Sequence, residues 1–377
     1  MFLNELAGSR QEAIAQLDTV LMLDPKFPFA LQNISRFYAL DGDYETAVEY
    51  ALKIKKYYPE SPIAYEQLSA YYQDMERFEE AREVSKELLE MSPGKIDILQ
   101  LLIRIYILER DFENADKYTE MIKEYHADDP YDMITYYNIK ENLSRWHGRF
   151  KKALEYQENQ LELAHKTGDS TFIYNAISGL GHYYNTIFDD KKKALELQRE
   201  ALKYAGQFQP IGHAFNMINI DLSTESEVRE LLETQIESFK ANLPQEMWAL
   251  ADKFSALFDA FCADDTAAII AVYEEMSKNP DQFASSDKFE YGKIMIADGQ
   301  YQKGIDVLST MITGKDQTSN GTRYLLVNYY IGRAYEGLGQ VEKAVTAYRE
   351  VLKYWGEADV ETDDIADTRK RLNRLQG

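Results

Sequence analysis

The sequence has too little cysteine, glycine and proline for several common classes of protein. Its one cysteine, Cys262, excludes a disulfide framework within the chain and any zinc site built from several cysteines. Glycine and proline number only 19 and 9 among 377 residues, which disfavours β-sandwiches and barrels that turn about every ten residues. The composition therefore favours an all-α chain.

Positive charge and long apolar runs are also scarce. Lys and Arg number 42 against 64 Asp and Glu, so the formal net charge is −22. Nucleic acids and anionic membranes require a basic surface, so we expect neither as a partner. No apolar run reaches the roughly 18 to 20 residues of a spanning helix, and the first residues lack the features of a secretory signal. We expect a protein that is cytoplasmic, or a soluble domain of a longer protein, and whose partners are proteins or peptides.

A repeat of 34 residues runs through the first part of the chain. The same spacing separates Pro25, Pro59 and Pro93, and also the alanines Ala13, Ala47, Ala81 and Ala115. Within each unit, bulky residues fall at positions 4, 7 and 11, and small residues at positions 8 and 20, where two helices would cross closely. A proline at position 32 would end the second helix. The period predicts pairs of helices.

The register changes further along the chain. Ala153 and Ala194 are 41 residues apart, so the fifth and sixth units are elongated. The pattern is weakest at 207–245 and resumes from 246, and Gly332 and Ala344 fill positions 8 and 20 of the last unit. The predicted segments are an array at 1–206 with a truncated first repeat, an irregular helical segment at 207–245, a second array at 246–356 and a capping helix at 357–377.

These units resemble the tetratricopeptide repeat family, most specifically at 13–130 and 322–355. The resemblance implies an all-α fold in which antiparallel helix pairs stack into a right-handed superhelix. We expect about eight or nine pairs and a C-terminal capping helix. In this family the concave face, formed by the first helix (helix A) of each pair, commonly receives a peptide or a partner helix.

The two ends of the chain differ from the regular repeat. The last repeat, the turn Tyr354–Asp359 and the final Arg/Leu-rich helix resemble the C-terminal repeat regions of bacterial signalling proteins, including serine/threonine kinases and transcriptional activators. The chain contains no kinase signature motif. The first unit has only the tail of a helix A, which fits either a natural start or a piece of a longer protein.

The sequence offers no pattern typical of catalysis or of metal or cofactor binding. Its five histidines, His126, His147, His165, His182 and His213, are scattered without metal-ligand spacing. A phosphate-binding loop and a Gly-x-Ser-x-Gly elbow are also lacking. We therefore expect a protein that is not an enzyme and needs no cofactor or metal.

Polar residues at positions 2, 5, 9 and 12 of helix A form the candidate binding groove. Asparagine suits peptide recognition because its amide both donates and accepts hydrogen bonds, and arginine adds fixed positive charge. The predicted groove residues are Arg36, Arg104, Asn138, Asn142, Arg145, Asn175, Ser178, His182 and Asn185.

The expected function is a non-enzymatic scaffold that binds a protein or peptide in this groove. Two alternatives remain open: a peptide-sensing regulatory module, and the docking arm of a bacterial multidomain kinase or transcription regulator. A clamp for chaperone C-termini is not expected, because position 5 of successive units is Gln32, Glu66 and Gln100 rather than the lysine or asparagine of such clamps.

Overall fold

The computed structural model describes residues 2–206, 209–221, 224–242, 245, 248–278, 285–312 and 320–377. These residues form twenty α-helices, and no β-strand occurs among them. The all-α class and the stacking of helix pairs are therefore confirmed. The chain divides into two compact units, an N-terminal unit, Met1–His126, and a C-terminal unit, Ala127–Gly377.

The N-terminal unit has seven helices in its described part: α1 (Phe2–Leu23), α2 (Pro28–Leu40), α3 (Tyr44–Tyr57), α4 (Pro62–Asp74), α5 (Phe78–Met91), α6 (Ile96–Glu109) and α7 (Phe112–His126). From α2 onwards they form antiparallel pairs, helix A followed by helix B. The prolines predicted to end helix B do so, because Pro25, Pro59 and Pro93 each follow a helix end by two residues.

The C-terminal unit continues the pairs in the residues described: α8 (Pro130–Trp146), α9 (Phe150–Thr167), α10 (Ser170–Thr186), α11 (Lys191–Ala201), α12 (Gln209–Ile220), α13 (Glu225–Asn242), α14 (Trp248–Cys262), α15 (Thr266–Ser277), α16 (Ser285–Ala297), α17 (Tyr301–Ser309), α18 (Gly321–Gly337) and α19 (Val341–Trp355). A final helix, α20 (Asp363–Gln376), packs on α18 and α19. Its N-cap is Thr362, whose side chain accepts from Ile365 N.

Small residues sit where the helices of a pair cross, as the repeat predicts. Ser35 and Ala47 are fully buried, and the serine hydroxyl donates to the carbonyl of Ala47 at 2.8 Å. In the pair α16/α17, both residues at the crossing are glycine. A Cβ on Gly304 would lie 3.1 Å from the carbonyl oxygen of Gly292. Any side chain at this crossing would push the two backbones apart.

The C-terminal unit closes on itself, which the sequence analysis did not foresee. Helix α18 contacts α8, the first helix of the unit. Trp355, at the end of α19, stacks edge-on against Phe150 with 5.4 Å between ring centroids, and its indole N–H donates to the carbonyl of Arg145 at 2.8 Å. Both rings are almost completely buried. The last helix pair therefore packs against the first.

The turn after α19 completes this closure. The Asp359 carboxylate accepts from the backbone N–H of Phe150 at 2.8 Å and of Lys151 at 3.2 Å, and thus caps the N-terminus of α9. In return, Asp359 N donates to the carbonyl of Gly148 at 3.0 Å. Gly148 has φ +65°, and a Cβ there would lie 2.8 Å from Ala358, so glycine fits this close approach.

Some predicted boundaries differ from the observed elements. Helix α1 is continuous from Phe2 to Leu23, so the predicted helix A remnant and the helix B after it form one helix. The segment predicted to be irregular contains α12 and α13, although parts of 207–245 lie outside the described residues. The boundary between the two compact units falls at 126/127. The predicted division of the repeats into two arrays stays a prediction.

Candidate functional site

The nine predicted groove residues are divided between the two units. Arg36 and Arg104 belong to the N-terminal unit, where both are exposed. Arg36 donates to the side chain of Asn33 at 3.1 Å, and Arg104 donates to the side chain of Gln73 at 3.1 Å. The other seven residues lie on two A helices of the C-terminal unit, α8 and α10.

Three asparagines of the C-terminal unit present their amides to solvent. Asn138 on α8 and Asn175 on α10 are exposed, and Asn185 on α10 is half-buried. None of the three makes a side-chain hydrogen bond with another described residue. Ser178 differs, because its hydroxyl and carbonyl both bond to the side chain of Gln198, at 3.4 and 3.1 Å. The asparagine amides can therefore bond to a ligand without losing an internal partner.

Asn142 belongs to the contact that closes the unit. Its side-chain oxygen accepts from the backbone N–H of Gly321, the first residue of α18, at 3.0 Å. One turn further along α8, the buried Trp146 ring contacts Tyr324 with 5.1 Å between centroids. A Cβ on Gly321 would lie 2.6 Å from the Trp146 indole. This amide thus has a structural role at the α8–α18 junction.

Arg145 lies beside a buried carboxylate and a buried tyrosine. Its Nε is 3.0 Å from Oε1 of Glu141, whose side chain is only 3% exposed. The guanidinium lies 5.7 Å from the centre of the Tyr183 ring. Burial raises the pKa of the Glu141 carboxyl, and burial together with the Glu141 charge raises the pKa of the Tyr183 hydroxyl. Arg145 is needed here because an unpaired carboxylate in this position would be costly.

Arg323, near the start of α18, contributes a second guanidinium to the same region. It is half-buried and lies 4.4 Å from the centre of the Phe289 ring. No carboxylate of a described residue lies within 4.0 Å of it. Burial lowers the pKa of Arg323, and the positive charge of Arg145 lowers it further, whereas Glu290 acts in the opposite direction.

His182, on α10, feels the charges of both arginines. Its side chain is exposed to solvent, and protein atoms around it still desolvate the ring. This desolvation, followed by the charges of Arg145 and Arg323, lowers the pKa of His182 to about 4. The ring is therefore neutral near pH 7 and can both donate and accept. We call Arg145, His182 and Arg323 the junction cluster.

Sequence reasoning missed three residues of this region: Glu141, Tyr183 and Arg323. A weak signal existed for Glu141, because it precedes Arg145 by four residues and so shares its helix face. Tyr183 occupies position 10 of its unit, which belongs neither to the packing positions nor to the groove positions of the repeat. Arg323 precedes the last recognisable unit, and no pattern relates it to α8 because 178 residues separate it from Arg145.

Among the described residues, no group of three or more His, Cys, Asp or Glu side chains could hold a metal ion. No described helix is long and apolar enough to cross a membrane.

Sequence models of the tetratricopeptide repeat match three parts of the chain, residues 29–61, 63–95 and 327–358. These matches coincide with the pairs α2/α3, α4/α5 and α18/α19. The chain contains tetratricopeptide repeats. The resemblance of its C-terminal part to bacterial signalling proteins stays a prediction.

A curated relative carries the same repeats. The TPR repeat-containing protein YpiA of Bacillus subtilis (strain 168) is 23% identical over 206 residues, which make up 53% of this chain and 45% of that protein. The matched region therefore spans less than half the length of that relative.

Solved structures with similar folds also contain tetratricopeptide repeats. YrrB, a TPR protein whose structure shows an unusual peptide-binding site, is 15% identical, with a TM-score of 0.34 over 50% of this chain and 91% of that chain. A tetratricopeptide repeat protein from Parabacteroides merdae is 13% identical, with a TM-score of 0.44 over 67% of this chain and 94% of that chain.

Proposed function

We propose that this protein is a non-enzymatic scaffold and that it binds a peptide or an extended protein segment on the A-helix face of α8 and α10. The observation that carries the proposal is the set of solvent-facing amides at Asn138, Asn175 and Asn185, which have no hydrogen bonds to other described residues. A main chain presents alternating donors and acceptors, and an asparagine amide can satisfy one of each.

The charge of the chain supports a protein or peptide partner. With a net charge of −22, the surface as a whole repels nucleic acids and anionic membranes. The junction cluster places positive charge next to the asparagines, so an approaching peptide meets a local field opposite to that of the whole molecule. The proposal also includes that the protein is cytoplasmic and that it acts in signalling.

The test is selection of peptides on the purified protein, followed by affinity measurements with the selected peptides. The double variant Asn138→Ala/Asn175→Ala should weaken binding about tenfold or more, because each lost hydrogen bond is worth about 0.5–1.5 kcal/mol. Asn242→Ala, an exposed asparagine on α13, a helix B, is the matched control and should bind as the unmodified protein does. Equal affinity of the double variant and the control would remove this face from consideration.

A peptide-sensing module is the second candidate, and the closure of the C-terminal unit gives it a specific form. Because contacts of Trp355 and Asp359 within the chain join the two ends of this unit, a bound peptide would change local order rather than compact the unit. If hydrogen exchange in α8, α10 and α18 is unchanged when a selected peptide binds, the sensor hypothesis is contradicted and the scaffold hypothesis is retained. The docking-arm hypothesis depends on the sequence context of the gene.

A further inference from the structure

We propose that the junction cluster, Arg145, His182 and Arg323, is a binding site for an oxyanion, either a carboxylate or a phosphate group. The site lies where the last helix pair of the C-terminal unit meets the first. It adds a charged subsite to the proposed function and rests on that function only where the anion is part of a peptide.

The closure of the unit is what brings these side chains together. The hydrogen bond from Gly321 N to Asn142 and the contact between the Trp146 and Tyr324 rings fix the start of α18 against the end of α8. Arg145 and Arg323 directly adjoin the two aromatic residues in sequence. In an open stack, first and last repeats contact only their own neighbours, so these two arginines would not share a site.

Among the described residues, Arg323 has no carboxylate counter-ion. Glu141 lies 3.0 Å from Arg145, and Glu290 lies 2.9 Å from Lys293. Arg323 has an aromatic ring beneath it but no carboxylate of the described residues within 4.0 Å. Partly buried arginines are normally paired, and this chain has 22 more acidic than basic residues. A bound oxyanion would supply the missing charge and accept the fork of guanidinium donors.

His182 gives the site a neutral donor. It directly precedes Tyr183, whose ring centre lies 5.7 Å from the Arg145 guanidinium, and the charges of Arg145 and Arg323 both lower the pKa of the His182 ring. A neutral imidazole donates one hydrogen bond to an oxyanion without adding a further buried charge. Exposure of the ring leaves the site open to a ligand from solvent.

The experiment measures binding of three probes to the full chain by isothermal titration calorimetry at low salt. The probes are inorganic phosphate, citrate, and a blocked hexapeptide of alternating alanine and glutamate, with the glutamine version of that peptide as the uncharged control. Arg323→Gln should weaken every probe that binds by about tenfold or more, and Arg323→Lys by less, because lysine keeps the charge but loses the fork. Arg77→Gln, at an exposed position of the N-terminal unit outside the predicted groove, is the control with the same charge change.

A measurement on the unmodified protein keeps the test valid if Arg323→Gln fails to fold. A bound oxyanion offsets the two guanidinium charges and should raise the pKa of His182, observed in the ring resonances by NMR. Binding of phosphate or citrate identifies a free anion as the source, and binding of the acidic peptide alone identifies a peptide. Binding unaffected by Arg323→Gln, or no probe that shifts His182, would overturn the proposal.

The two proposals can fail separately. If selected peptides depend on Asn138 and Asn175 but show no acidic preference and no response to Arg323→Gln, the scaffold stands and the oxyanion site falls. If small anions bind through Arg323 while no peptide binds, the oxyanion site stands and the scaffold falls.

Discussion

The N-terminal and C-terminal units use the same helix pair but differ in the range of their contacts. In the N-terminal unit, hydrogen bonds between repeats join residues such as Ser35 and Tyr71, which are 36 positions apart. In the C-terminal unit, Trp355 bonds to Arg145 across 210 positions. The repeating contacts therefore determine only how one helix pair packs on the next. Closure depends instead on a few side chains at the two ends of the C-terminal unit.

This difference has consequences for stability. Contacts between neighbouring repeats make stability a sum of local terms, so a defect stays local. Closure over about 200 residues carries a loop entropy that rises only slowly with length, so a compact group of buried rings is enough to stabilise it. Damage to that group should then be felt in the first and the last pair of the C-terminal unit together.

The largest expected effect comes from Trp355→Ala. The side chain is 1% exposed, and its removal leaves a cavity beside Phe150, so we expect the free energy of unfolding of the C-terminal unit to fall by about 3–5 kcal/mol. Hydrogen exchange should show lost protection in α8 and α9 as well as in α18 and α19. Leu68→Ala in α4, a fully buried position, should destabilise the N-terminal unit and spare α8 and α9. Lost protection confined to α18 and α19 would contradict closure.

A pH effect of similar size is expected from His213, which belongs to the C-terminal unit. The ring is fully buried near Tyr174, and burial lowers its pKa from 6.5 to about 4. Between these values the unfolded chain binds a proton that the folded chain does not, so stability falls as the pH drops from 6.5 to 4. The loss from this group approaches about 3 kcal/mol at pH 4.

Urea unfolding of His213→Phe at a series of pH values checks this prediction. The variant should lose part of the acid-dependent destabilisation, and its difference from the unmodified protein at pH 7.5 measures packing alone. Parallel pH profiles of the two proteins would show that this ring does not titrate between the folded and unfolded states as proposed.

A smaller effect is expected from Asp359→Ala. The carboxylate caps α9 from a distant part of the chain, and loss of such a cap costs about 0.5–2 kcal/mol. Glu357→Ala, two residues earlier and also exposed, serves as the matched control and should change the melting temperature little. Asp359→Asn should fall between them because its amide oxygen still accepts. Equal melting temperatures for Asp359→Ala and Glu357→Ala would count against the cap.

The smallest contrast separates two asparagines that the sequence treats alike. Asn142→Ala removes the acceptor for Gly321 N, and we expect a loss of about 0.5–1.5 kcal/mol. Asn175→Ala removes an exposed amide and should leave the unfolding midpoint unchanged within error. The two variants can be compared by thermal unfolding at one protein concentration. A stable Asn142→Ala would return this residue to the list of candidate ligand contacts.

The repeat pattern made much of the fold predictable, but not the closure. Small residues such as Ala47 recur at a fixed period, and that period predicts the crossing of two helices without reference to the rest of the chain. Trp146 and Trp355 occur outside any shared period, and each alone is an ordinary core residue. The residues that these two tryptophans contact depend on the number of helix pairs between them and on the rotation from each pair to the next. No short sequence pattern displays either quantity.

The candidate site was predictable in part for the same reason. Asn138 and Asn175 follow from their places on helix A, and the structure leaves both exposed. The oxyanion site depends on Arg323, whose position beside Arg145 results from closure and could not be derived from helix periodicity.

The most direct test of closure is the distance between the two ends of the C-terminal unit in solution. Spin labels at Lys151→Cys and Glu357→Cys, in a Cys262→Ser background, occupy exposed positions on either side of the Asp359 cap. Pulsed electron spin resonance should give one short distance. It should equal the spacing of packed helices, about 10 Å, plus the length of the two label arms. An open stack would separate the two ends by five helix-pair steps, roughly 50 Å, and a distribution centred there would contradict closure of the C-terminal unit.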